Sequence, residues 1–199
     1  MSSPHERRYR IAVLLVIASE ALLFAGLFDL YASYRTQYHA AFDAGVREDI
    51  QWIGGVNTLV LLTSSFWMAW AIHLVRQGKS RGATWSLAVV LALGAAFLVL
   101  KGLEWGMHID DGVVLGAGYR GKDLGEGTRL FFSLYYLMTG LHALHVVAGM
   151  ALVTWMVVRV HQRRVAAERH LVLELVGLYW HFVDLIWVFL WPMFYLMDH

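Results

Sequence analysis

The chain has 199 residues, of which 59% are hydrophobic, and its formal net charge is +1 at pH 7. A soluble domain of this length could not bury so much apolar surface, so water is the wrong solvent for most of the chain. The near-zero charge gives no indication of nucleic-acid binding. The absence of cysteine excludes disulfides, thiolate-held iron–sulfur clusters and a cysteine-ligated copper centre.

Apolar residues fall in five long blocks, at about 11–34, 53–75, 84–107, 130–158 and 171–197. Each block has the length that a helix needs to cross about 30 Å of hydrocarbon, and none alternates as a membrane β-strand does. Lipid cannot satisfy free backbone groups, so the spanning elements must be helices. We therefore predict an all-α, polytopic membrane protein in which residues 1–199 form a single domain, a bundle of five transmembrane helices.

The basic residues of the connecting segments indicate the orientation. The N-terminal tail and the loops after the second and fourth blocks hold ten Lys and Arg, whereas the alternate loops hold five and are rich in acids. By the positive-inside rule the N-terminus is cytoplasmic and the C-terminus periplasmic, in a bacterial inner membrane. The Gly-rich loop at about 110–129 is too short to fold alone, and its role stays open.

Ionisable side chains at membrane depth cost about 2.5–3.5 kcal/mol each on insertion scales, so each is a hypothesis of function. Glu20 lies about 10 residues into the first block, near the bilayer midplane. It is either a proton-responsive carboxylate or a hydrogen-bonded residue that fixes helix register, and the second role is the more common. A small proton or solute carrier built on Glu20 is a further hypothesis.

Two polar trios recur at helical spacing in the last two blocks. They are Thr139, His142 and His145, and Glu174, His181 and Asp184. Such stripes normally face a partner helix and hydrogen-bond across the interface. We therefore predict an interhelical polar network containing both trios and Glu104, which can pair with Lys101 three residues before it.

A haem site is the rival interpretation of the same histidines. His142 or His145 opposite His181 would supply axial ligands, and the chain would then be a stand-alone b-type membrane cytochrome. Two histidines three residues apart on one helix cannot both bind one iron, which weighs against this hypothesis. A site of His and carboxylate ligands for another metal, with Glu174, is weaker still, so we predict no metal site.

The sequence resembles the cytochrome c oxidase subunit III family. The run YWHFVDLIW at 179–187 is similar to the family's signature on its last helix, and TGLHALHV at 139–146 is similar to the signature on the preceding helix. Glu20, followed by FAGLF at 24–28, resembles the segment that bears the family's carbodiimide-reactive carboxylate, and Glu104 in KGLEW resembles a family acid. Longer members have seven helices, and this chain corresponds to the last five, as in shorter bacterial members.

The resemblance implies a non-catalytic core subunit III of a haem-copper terminal oxidase. Such a subunit packs against catalytic subunit I, in a complex with subunit II and other respiratory-chain subunits. It binds no haem or copper itself, since these belong to the partner subunits, but it binds phospholipids. In the family it supports proton uptake, active-site stability and access of lipid or oxygen, with Glu20 as the buried carboxylate. Arg159 and Arg163, at a cytoplasmic helix end, are candidates for binding anionic lipid headgroups.

The branch of the family is open. Quinol-oxidase relatives tend to carry Asp where Glu20 stands, which favours the cytochrome c branch. The Trp191-Pro192 ending also resembles accessory subunits of nitric oxide reductase.

Overall fold

A computed structural model describes residues 4–48, 51–110, 125–162 and 170–196, and within these ranges the chain is helical with no strand. The helices are α1 Pro4–Gln37, α2 His39–Glu48, α3 Gln51–Arg76, α4 Ser80–Asp110, α5 Glu126–His161 and α6 Leu171–Tyr195. All but α2 are long and apolar enough to cross a membrane. The predicted all-α fold with five spanning helices is therefore confirmed.

The first four spanning helices extend beyond the predicted apolar blocks, whereas α6 ends at Tyr195, within the block predicted at 171–197. The first block covers 11–34 but α1 runs from Pro4 to Gln37, and α4 and α5 also continue past the apolar residues into polar sequence. A helix can continue outside hydrocarbon because its backbone hydrogen bonds are internal, so hydropathy underestimates its length. Most of the predicted 110–129 loop, residues 111–124, lies outside the described residues.

The tight connection between α3 and α4 makes them an antiparallel pair. Gly78 has a φ of 73°, the left-handed conformation that glycine adopts without steric cost. The Lys79 amide donates to the Leu74 carbonyl oxygen at 2.9 Å, and the Gly78 amide donates to the Val75 carbonyl oxygen at 2.9 Å. This is the bonding of a Schellman cap, which ends α3 and turns the chain directly into α4.

The remaining packing places α6 at the centre of the bundle. It contacts α1, α3 and α5, while α4 packs against α3 and α5, and α1 lies at the edge against α5 and α6. The α6 side chains Trp180 and Trp187 are buried. A Cβ at Gly149 would lie 2.9 Å from Trp180 Cε3, and one at Gly94 would lie 3.1 Å from Trp180 Cη2. Glycine on α4 and α5 therefore makes room for the buried indole of Trp180.

The short helix α2 follows α1 and was not predicted. Phe42 is buried and contacts Tyr31 of α1, with ring centroids 5.2 Å apart. Arg35 pairs with Asp43 at 3.2 Å across the corner. At the junction of the two helices, the Glu126 carboxylate raises the pKa of the Tyr38 hydroxyl, because a nearby negative charge opposes ionisation. The corner is thus held by both apolar and ionic contacts.

Candidate functional site: polar clusters between the helices

Three groups of polar side chains join different helices at membrane depth. The α1–α5 pair consists of Glu20 and His145. The α3–α6 triad consists of Ser65, His181 and Asp184, and the Lys101 cluster of Lys101, Glu104, Tyr135 and Tyr195. The structure therefore brings Glu20, Glu104, His145, His181 and Asp184 into interhelical contacts, but in three separate clusters.

The α1–α5 pair is a hydrogen-bonded imidazole and carboxyl. His145 Nε2 lies 2.9 Å from Glu20 Oε2, and His145 Nδ1 lies 2.7 Å from the Leu141 carbonyl oxygen. A carbonyl oxygen can only accept, so Nδ1 carries a hydrogen and donates it. The contact between Nε2 and Oε2 then needs one further proton, which resides on the carboxyl or on the imidazole. The pair is partly exposed at the side of the bundle, with 28% of the Glu20 side chain and 14% of the His145 side chain accessible.

The α3–α6 triad is arranged around a single hydroxyl. Ser65 Oγ donates to Asp184 Oδ2 at 2.5 Å and lies 2.8 Å from His181 Nδ1. A hydroxyl has one hydrogen to donate and lone pairs to accept with, so Oγ can bond to both side chains at once. Asp184 is buried and His181 is half-buried. The triad therefore connects the interior of the bundle to its surface.

The Lys101 cluster is an ionic network inside the bundle. Lys101 Nζ donates to Glu104 Oε1 at 3.0 Å, to Tyr135 Oη at 2.9 Å and to Tyr195 Oη at 2.6 Å. Both tyrosine hydroxyls in turn donate to Glu104 Oε1. The ammonium also lies 4.5 Å from the centre of the Tyr135 ring, a cation–π contact. Polar groups from α4, α5 and α6 thus bond to the ammonium and to Glu104 Oε1, which lowers the cost of burying the two charges. Glu104 Oε2 is buried without a hydrogen-bond partner among the described residues.

Thr139 and His142 lie outside these clusters. The Thr139 hydroxyl donates at 2.6 Å to the Tyr135 carbonyl oxygen of its own helix. The His142 ring is fully buried between the rings of Phe97 and Trp187, at centroid distances of 5.5 and 5.2 Å. Neither of its ring nitrogens has a hydrogen-bond partner within the described ranges. The spacing of the α5 trio predicted a common face but did not predict which members hydrogen-bond across helices.

Glu174 lies at the end of the bundle, apart from the other two members of its trio. It pairs with Arg76 of α3, and its Oε1 lies 3.0 Å from His170 Nε2. Arg76 is the last residue of α3 and Glu174 lies in the first turn of α6, so this ion pair is at the ends of two spanning helices. The contact joins the end of α3 to the start of α6.

The structure describes only one of the two arginines that are candidates for binding lipid headgroups. The Arg159 guanidinium lies 4.9 Å from the centre of the Trp155 ring. Trp155 lines an apolar groove of about 610 Å³ between α1, α5 and α6, together with residues such as Val16 and Tyr179. Arg163 lies outside the described residues.

Sequence reasoning missed Ser65, Tyr135 and Tyr195. Tyr135 precedes Thr139 by four residues and Tyr195 follows Asp184 by eleven, so both continue the polar faces of α5 and α6 at helical spacing. Following the polar spacing further along each helix would have identified both tyrosines. Ser65 stands in a Thr-Ser-Ser run with no such spacing signal, and only the packing of α3 on α6 selects it.

Within residues 4–48, 51–110, 125–162 and 170–196, His, Asp and Glu side chains form no group of three that could hold a metal ion. The polar side chains instead contact one another between long apolar helices. This arrangement defines a multi-pass helical membrane protein with interhelical polar clusters.

Comparison with known protein families then identifies the family of this chain. The model of the family described as cytochrome c oxidase subunit III matches residues 4–199. The chain belongs to this family, as its sequence motifs indicated, and is a subunit III of a haem-copper oxidase. Membership implies a complex with other oxidase subunits.

Similar proteins come from bacteria and from animals. A cytochrome c oxidase subunit 3 of Synechocystis sp. is 31% identical over 186 residues, covering 93% of this chain and 74% of that protein. The subunit 3 of Thermostichus vulcanus is 31% identical over 193 residues, covering 95% and 88%. The subunit 3 of Cyprinus carpio is 29% identical over 203 residues, covering 96% and 70%.

Proposed function

We propose that this chain is a supporting subunit of a cytochrome c oxidase with no redox centre of its own. It packs against catalytic subunit I, which with other subunits carries the haem and copper, and it helps to keep proton uptake fast and the active site stable during turnover. We place it in a bacterial inner membrane, with its N-terminus cytoplasmic and its C-terminus periplasmic. The α1–α5 pair carries the proposal, since it places a hydrogen-bonded carboxyl and imidazole at a partly exposed position, with Glu20 in the middle of α1.

The histidines support a role without haem. His145 is bonded through both ring nitrogens to Glu20 and Leu141, and His181 is bonded through Nδ1 to Ser65. The His142 ring is enclosed by two aromatic rings. A pair of axial ligands would require these side chains to leave their present contacts.

Bound phospholipid is a further part of the proposal. The groove between α1, α5 and α6 is lined by apolar side chains, which suit an acyl chain. Arg159 lies against Trp155 at this groove, where its positive charge can meet an anionic headgroup. A lipid held here would lie beside the helix that bears Glu20.

Copurification in mild detergent tests the proposal. The full chain, tagged and expressed in its native host, should retain a haem-containing oxygen-reducing subunit that mass spectrometry identifies. Retention of a nitric oxide reductase or a quinol oxidase instead would assign the chain to the alternative branch. Failure to retain any haem protein would contradict the proposal.

Two measurements on the chain purified alone separate the remaining alternatives. A reduced-minus-oxidised spectrum without haem bands is expected, and stoichiometric haem would favour the b-type cytochrome. Liposomes that contain only this protein should show no proton or solute flux above empty liposomes. Flux that disappears in Glu20→Ala would favour a carrier.

A further inference from the structure

His181 presents an unsatisfied ring nitrogen at membrane depth. It lies near the middle of α6, is half-buried, and uses Nδ1 to contact Ser65. Its Nε2 has no hydrogen bond within the described ranges, and it is not among the atoms enclosed by the bundle. The nitrogen therefore reaches the bundle surface at a depth where the surroundings are hydrocarbon.

Three other polar groups at the surface of the spanning helices are hydrogen-bonded within their own helix. The hydroxyls of Ser19, Thr63 and Thr154 each donate at 2.7 Å to a carbonyl oxygen of their own helix. The Nε2 of His181 makes no such bond. Acyl chains offer neither donor nor acceptor, and leaving a polar group unpaired there costs several kcal/mol. A polar partner from outside the chain would remove this cost.

The exposed surface around His181 is apolar, and the imidazole is its polar group. Leu178 and Leu185 flank it on α6 and are 42% and 52% exposed, while Leu62 and Phe66 flank Ser65 on α3 and are 49% and 60% exposed. We call this surface the His181 seam, made of Leu62, Phe66, Leu178, His181 and Leu185. Apolar contact around a single interhelical hydrogen bond is how spanning helices recognise one another.

We propose that the His181 seam is the surface on which a transmembrane helix of another oxidase subunit docks, presenting a hydrogen-bonding side chain to His181 Nε2. This inference rests on the proposed function, because it takes the partner from the oxidase complex. A lipid is a poorer fit, since its polar headgroup lies at the membrane surface and not at this depth.

The triad also indicates which chemistry the partner offers. His181 Nδ1 is already engaged by Ser65, so Nε2 is the ring nitrogen open to a partner. An imidazole nitrogen either donates or accepts a hydrogen bond. The docking helix therefore supplies a side chain that can do both, such as the hydroxyl of Ser, Thr or Tyr or the amide of Asn or Gln.

Single-cysteine labelling tests where the partner lies. The chain contains no cysteine, so Leu178→Cys and Leu185→Cys each introduce a unique thiol. Leu144→Cys on α5, at a residue 67% exposed, is the matched control for access of the reagent. In the intact complex we expect both seam thiols to resist a membrane-permeant maleimide and to react once the chain is released. Equal reaction of the seam thiols before and after release would overturn the inference.

Retention of His181 variants tests the hydrogen bond itself. His181→Leu should weaken binding to the haem-containing subunits about 3- to 15-fold, the range for one interhelical hydrogen bond. His181→Gln keeps a polar group and should restore part of the loss, while His73→Leu, at an exposed helix end, should bind as the wild type does. The readout is the amount of this chain retained per haem after dilution in detergent.

The outcomes separate this inference from the proposed function. If the wild-type chain retains no haem-containing subunit, the proposed function fails. If it retains one while the seam thiols stay reactive and His181→Leu binds normally, only the docking surface is wrong. A seam covered by a second copy of this chain, detected as a disulfide between two Leu178→Cys chains, would also overturn the inference.

Discussion

His145 Nε2 on α5 lies 2.9 Å from Glu20 Oε2 on α1, and this contact ties the edge helix to the bundle. A second polar tie joins α1 to α6, where the Tyr31 hydroxyl donates to the Met193 carbonyl oxygen at 2.6 Å. Most of the α1 surface is exposed, so few other contacts fix its position. The contact between Glu20 and His145 is therefore a structural link, and it also joins two side chains that can each carry a proton.

Substitution of Glu20 separates these two roles. Glu20→Gln can donate its amide hydrogen to His145 Nε2 and preserve the link, but it cannot release a proton. We expect the assembled oxidase with Glu20→Gln or Glu20→Ala to lose activity severalfold faster during turnover, with near-normal assembly. The measurement is the half-life of oxygen consumption, and the amount of complex purified reports assembly.

The control for this experiment is Ser19→Ala, which removes a hydroxyl bonded only to the Val16 carbonyl oxygen of its own helix. Its inactivation half-life should equal that of the wild type. A Glu20→Gln oxidase with an unchanged half-life would remove proton exchange at Glu20 from the mechanism. A shortened half-life in Glu20→Ala alone would leave the structural link as its role.

Hydropathy predicted the five spanning helices because hydrocarbon thickness fixes the length of each apolar block. It missed α2, since a ten-residue helix outside the membrane has no such length signal, although Phe42 and Val46 at spacing four indicate its buried face. Helical spacing also placed Lys101 next to Glu104, and the structure pairs them at 3.0 Å. Contacts between residues close in sequence could therefore be predicted from the sequence.

Contacts between distant helices were not predictable from one sequence. The partner of Asp184 is Ser65, 119 residues away, and the partner of Glu20 is His145, 125 residues away. Which face of α3 meets α6 depends on steric details such as Gly177, where a Cβ would lie 2.6 Å from Ile72 Cδ1. Periodicity predicts that a face is polar, whereas packing decides what it meets.

The Lys101 cluster predicts a strong coupling between Lys101 and Glu104. Lys101→Met leaves the Glu104 carboxylate in the interior without its cation, and breaking a buried pair costs about 3–5 kcal/mol. We expect Lys101→Met to lower the free energy of unfolding by that amount in detergent. The double variant Lys101→Met with Glu104→Gln should recover much of the loss, because it buries no charge.

Unfolding in mixed detergent and SDS, followed by circular dichroism, measures this double-mutant cycle. The control is Lys79→Met, at an exposed lysine between α3 and α4, which should leave the free energy of unfolding nearly unchanged. Additive effects of the two substitutions would show that Lys101 and Glu104 do not stabilise each other, and would contradict the network.

Asp184→Leu should weaken folding of the chain or its docking in the complex. The substitution removes the acceptor of the Ser65 hydroxyl and so disturbs the position of His181, with an expected cost of about 1–3 kcal/mol. Asp184→Asn keeps a carbonyl oxygen for Ser65 and should lose less. The yield of intact complex per gram of membrane is the readout, and an undiminished yield for Asp184→Leu would contradict the role of the triad.

Gly149→Ala should destabilise the bundle, although alanine is the better helix former. A Cβ at this position would lie 2.9 Å from Trp180 Cε3, so the buried indole must shift, together with its 3.0 Å hydrogen bond from Nε1 to Ser64 Oγ. Overpacking of this kind costs about 1–3 kcal/mol. Gly102→Ala is the matched control, since no atom lies within 4 Å of its added Cβ, and it should be neutral or stabilising by up to about 1 kcal/mol. Thermal unfolding of both variants in the same detergent measures the difference, and equal stability would show that Gly149 is not needed to seat Trp180.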